Sequence, residues 1–122
     1  MTFRILIVAF VLLTAWPVFG HDIEKGPHGG RVLDMGSVHV ELVAKDNLVE
    51  VYLTDAANKA VSSFGYKGVA ILLIGGKSQR IVLGLAGNNR LTGKAKDALT
   101  GPLKGAVLLT APDGKTSQAK FD

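Results

Sequence analysis

The sequence predicts an all-β fold: a single antiparallel β-sandwich or small barrel of about seven short strands, Ig-like in type. Three observations carry that prediction. Apolar residues alternate with polar ones in period two through most of the chain after residue 37. Glycine-containing turns separate these stretches at spacings of roughly 8–12 residues. No segment sustains a period of 3.6.

Residues 1–20, "MTFRILIVAFVLLTAWPVFG", are set apart from the rest. A single cation, Arg4, precedes the apolar run Ile5 to Leu13; Pro17 breaks it, and Val18 and Gly20 occupy the minus-three and minus-one positions of a cleavage site. The run falls short of the roughly 20 apolar residues of a membrane span. A secretory signal peptide is the expectation, with contact with a membrane only if the segment stays uncleaved. Cleavage after Gly20 would make His21 the first residue of the mature chain, whereas cleavage one or two residues to either side would not.

Residues 21–36 form a His/Gly-rich N-terminal segment, and 37–122 the expected β-sandwich domain. In "SVHVELVAKDNLVEVYLTD", Val38, Val40 and Leu42 alternate with His39 and Glu41, and Val49, Val51 and Leu53 alternate with Glu50, Tyr52 and Thr54. A two-residue turn at Asp46-Asn47 sets Leu42 against Val51 and Val40 against Leu53, gathering the aliphatics on one face. The other face then carries His39, Glu41, Glu50, Tyr52 and Thr54, with Val43 the one aliphatic among them. "GVAILLIGG" and "RIVLGLAG" flank a turn at Gly75-Gly76-Lys77, in a register the pattern leaves open. "NRLTGKAK" reads as a weaker, edge-like strand, and "GKAKDALTGPLKG" as a loop. Pro112-Asp113-Gly114 joins the last two strands, Pro presetting φ and Gly accepting φ > 0.

Composition excludes several functions. With no cysteine there is neither a disulfide nor a thiolate ligand or nucleophile. Setting Arg4 aside, 13 Lys and Arg face 10 Asp and Glu after residue 20, a formal charge of +3, scattered along the chain without a run. The aromatics there are Tyr52, Phe64, Tyr66 and Phe121. A nucleic-acid binder needs a basic stripe with stacking aromatics, so none is expected as a partner. Ser37, Ser62, Ser63 and Ser78 lie in no nucleophile motif, no carboxylates pair, and no phosphate loop leads into a helix. The chain is not expected to be an enzyme.

What stands out is histidine. All three, His21, His28 and His39, fall within twenty positions. Neutral imidazole is the commonest metal-binding side chain. A terminal His21 would chelate through its amine and ring together, and one further imidazole would complete a planar nitrogen set that suits Cu(II). Met35 and Glu41 are weaker candidate ligands, and Asp22 and Glu24 offer oxygen. Each histidine also has a plain structural role: a frayed terminus for His21, a turn for His28, an exposed strand position for His39. A tight turn at Gly36-Ser37 would pair His39 with Asp34 and leave His28 six residues further down, roughly 20 Å away. The two approach only if Gly29-Gly30 breaks the strand and folds His28 back, or if the segment is not a hairpin.

The stretch "GPHGGRVLDMGSVHVELV", Gly26 to Val43, resembles a segment of small secreted heavy-metal-resistance proteins of Gram-negative bacteria. It is also similar to a segment near the start of periplasmic adaptor subunits of metal-efflux pumps. The resemblance implies a periplasmic β-domain that handles copper, zinc or cobalt, with His28 and His39 as ligands and an adaptor or efflux component as partner. His21 lies outside the motif. The chain lacks the long helical hairpin of a whole adaptor, and Met35 is its only methionine after residue 20, unlike methionine-rich copper carriers. The expected function is a periplasmic metal-binding protein, copper or another divalent transition metal, that sequesters or delivers its ion. The alternative is a non-catalytic interaction or structural module of the cell envelope with no metal.

Overall fold

The computed structural model describes residues 25–122. The expected signal peptide and His21 lie outside the described residues. Eight strands follow in chain order: β1 Arg31–Asp34, β2 His39–Lys45, β3 Leu48–Thr54, β4 Lys67–Ile74, β5 Lys77–Leu85, β6 Arg90–Lys94, β7 Gly105–Thr110 and β8 Thr116–Phe121. They form one antiparallel sheet in the order β1-β2-β3-β6-β5-β4-β7-β8. The all-β antiparallel prediction holds. The strand beyond the expected seven is β1, which lies within the stretch read as an N-terminal segment.

The sheet curls on itself until its ends meet. β5 is the strand that makes the curl: Lys77 to Leu83 pair with β4, while Gly84 and Leu85 pair with β6. At the far ends, the Arg31 guanidinium donates to the Asp122 carbonyl oxygen at 2.8 Å and lies 5.6 Å from the Phe121 ring centre. One core fills the interior. Val40, Val49, Val51, Leu53, Ala70, Leu72, Leu91 and Val107 are completely buried within it.

The β2–β3 register is the predicted one, with Leu42 opposite Val51 and Val40 opposite Leu53. The fold differs from expectation at β6, which is an interior strand between β3 and β5 and not an edge. Its alternation is hard to see because only Leu91 is a large buried aliphatic, and a side chain at Gly93 would collide with the Val82 carbonyl. Residues 95–104 form a loop without helix, as predicted. It is tied to the β2–β3 turn by Ala95 N to Asn47 O and Leu99 N to Asp46 O.

Candidate metal-binding site

The outer face of β1, β2, β3 and β6 carries the polar half of the alternation: Asp34 and His39 are paired, as are Glu41 and Tyr52, and Tyr52 and Arg90. A carboxylate at the centre of such a face is ordinarily solvated, yet Glu41 is only 4% exposed. Residues 25–30 cover it. Ahead of β1 the chain makes a turn, Gly29 N donating to Gly26 O at 3.0 Å, and Gly26 N donates to Gly30 O at 2.9 Å. Pro27 presets the turn and Gly29, at φ 76°, completes it. A Cβ at Gly26 would strike the Glu41 carboxyl carbon, and one at Gly30 the Leu42 carbonyl. Glycine at both positions is what lets the loop lie on the sheet.

The buried carboxylate is fully engaged. Glu41 Oε2 accepts from the backbone N–H groups of His28 at 2.9 Å and Gly30 at 2.8 Å. Glu41 Oε1 lies 2.7 Å from His28 Nδ1. A carboxylate only accepts, so the shared hydrogen sits on Nδ1 and the lone pair of the neutral ring is on Nε2. The imidazole also lies flat on Tyr52, ring centres 3.7 Å apart and planes within 8°. Tyr52 is itself fixed: its hydroxyl donates to Glu50 Oε2 at 3.0 Å, and Glu50 Oε1 pairs with Arg90 Nη1 at 3.2 Å. His28 is thus held by a hydrogen bond at one edge and a stack on one face, while its side chain remains 45% exposed.

Gly29-Gly30 does break the strand and folds His28 back over Glu41, so His28 and His39 share the outer face. Glu41, beneath His28, is two residues along β2 from His39, about 7 Å. His39 pairs with Asp34 across the strands; its Nε2 is 4.0 Å from Asp34 Oδ1, beyond hydrogen-bonding range, and its side chain is 31% exposed. Met35 is in the core at 5% exposure. His21 lies outside the described residues. Among the described residues no group of three or more His, Asp or Glu is arranged to hold an ion. Two contributions were not read from sequence: Tyr52 as a platform and Glu41 as the anchor of the histidine loop. The signal for the second was present, a glutamate in mid-strand facing a Gly-Pro-His-Gly-Gly run. Compared with known proteins, the chain matches no family model, no curated protein and no solved structure.

Proposed function

We propose that this is a periplasmic metal-binding protein that takes up a divalent transition ion, copper or zinc, through His28 Nε2 and sequesters it or hands it on, with an efflux component as recipient. The observation that supports the reading is the Glu41–His28 pair. Ligating histidines characteristically donate their second ring N–H to a carboxylate or carbonyl, which fixes tautomer and orientation and raises basicity. Here that arrangement is complete on the protein side and the ligating nitrogen is left without a hydrogen-bond partner among the described residues. Both Glu41 oxygens are engaged, so Glu41 orients the ligand and does not itself ligate. His39 is the second imidazole on the same face, and His21 a third donor on chemical grounds alone.

The test is calorimetric titration of the secreted, untagged protein with Cu(II) and Zn(II) after intact mass has fixed its N-terminus. One ion per chain should bind, and His28→Ala should weaken binding by more than the 10–100-fold typical of losing an outer-shell partner. Equal affinity for wild type, His28→Ala and His39→Ala would remove the proposal.

A further inference from the structure

The half of the barrel remote from His28 has a different surface. Among the described residues, four large hydrophobic side chains are half exposed or more: Phe64 at 81%, Val82 at 63%, Leu85 at 56% and Leu73 at 50%. All four fall on the β4–β5 hairpin or the loop that enters it. The strand registers make Leu73 and Val82 part of a continuous outer face, while Leu85 and Phe64 stand at the barrel end beside it. Ala70, Leu72, Ile81, Leu83, Val107 and Leu109 point into the core, so the intervening residues point out. Val82, Val69 and Leu108 then stand side by side across β5, β4 and β7. In the next row Ile71 lies between Arg80 and Ala106, and Lys120 follows on β8.

Phe64 stands three residues before β4, at the barrel end where that strand begins, on a stiff support. It occupies a turn closed by Tyr66 N to Ser63 O at 3.0 Å, with Gly65 at φ 81°. Ser63, only 1% exposed, anchors that turn to the 87–88 loop through its N–H to Asn88 O and its hydroxyl to Gly87 O. Leu85 borders the same hollow.

The charge is equally one-sided. β4, β5, β7 and β8 together carry Lys67, Lys77, Arg80 and Lys120 and no Asp or Glu. Lys67, Lys77 and Arg80 are exposed around the aliphatic rows. A second copy set face to face would bring cation against cation. A nucleic acid would match the charge but leave the aliphatics unused. An anionic bilayer satisfies both, its phosphates meeting the cations while Phe64 and the aliphatics enter the headgroup–acyl boundary.

We propose that the outer face of β5-β4-β7, led by Phe64 and rimmed by Lys67, Arg80 and Lys120, docks the folded protein on an anionic phospholipid surface. This contact is separate from any made by residues 1–20, and it leaves the His28 face turned toward solution. The test is co-sedimentation of the mature chain with phosphatidylcholine vesicles, with and without about 30% phosphatidylglycerol, at about 0.05 and 0.5 M salt. Binding should require the anionic lipid and fall at high salt. Lys67→Gln with Arg80→Gln should weaken it about 25-fold, roughly fivefold per charge removed. A triple variant, Phe64→Ser, Leu73→Ser and Val82→Ser, should lose binding with all its charge retained, its thermal melt and metal titration serving as controls on the fold. Three results would overturn the proposal: no binding to anionic vesicles at low salt, wild-type binding by the serine variant, or self-association abolished by that variant in place of lipid binding.

Discussion

Replacing Glu41 by glutamine changes a single atom of the site and separates its two functions. In the wild type, Oε2 serves two backbone N–H groups and Oε1 faces His28 Nδ1. A glutamine whose carbonyl oxygen takes the Oε2 place keeps both backbone bonds. Its amide nitrogen then faces Nδ1 and donates, so the ring hydrogen moves to Nε2 and the ligating lone pair is lost from the exposed edge. The structural cost is that of exchanging a charged acceptor for a neutral one, about 1 kcal/mol, or about 4–8 °C in a domain of this size. The cost in metal affinity is the 10–100-fold typical of a lost carboxylate partner. Glu41→Ala is a harsher comparison: three bonds to a charged acceptor are worth about 1.5–3 kcal/mol each, and water reaching the freed N–H groups leaves a net loss of about 2–4 kcal/mol. Parallel thermal melts and Zn(II) titrations of the three proteins provide the readout. If Glu41→Gln binds Zn(II) within about twofold of wild type, the carboxylate does not set the ligand and the reasoning fails.

Other substitutions probe the parts around this pair. Gly30→Ala puts a methyl group against the Leu42 carbonyl and should cost about 1–3 kcal/mol while displacing the loop, so melting temperature and metal affinity fall together. Tyr52→Leu removes the stacking platform, worth about 0.5–1.5 kcal/mol, and should weaken Zn(II) binding severalfold by calorimetry with Glu41 still engaged. Leu72→Ala, in the core of the opposite half, should lower unfolding free energy in a denaturant titration by about 2–5 kcal/mol and leave metal affinity unchanged, because Leu72 does not touch the site.

The fold was legible where one face of a strand is buried and the other is not. Val40, Leu42, Val51 and Leu53 show this most clearly, since a one-residue slip would put Tyr52 into the core, and that alone selects the register. The same logic fails at β6, whose interior place depends on one leucine and on a glycine that lets β5 approach. Such a strand carries too little hydrophobic signal to distinguish it from an edge. The alternation put His39 on the outer face, and Gly29-Gly30 marked the break that returns His28 to it. What spacing did not convey was which group His28 meets there. That depends on a buried glutamate bonded to a loop thirteen residues away, a tertiary contact with no local periodicity. Met35 shows the converse: a donor by residue type, it was drawn into the core because the turn back to Val38 directs it inward.

The central claim is that Glu41 holds His28 with its Nε2 as a free ligand. Long-range proton–nitrogen NMR of the imidazole rings tests it directly, before and after one equivalent of Zn(II). In the metal-free protein the His28 ring should be protonated on Nδ1 and bare on Nε2, with the Nε2 resonance moving on addition of zinc. A ring protonated on Nε2, or a His28 spectrum unmoved by zinc, would contradict it.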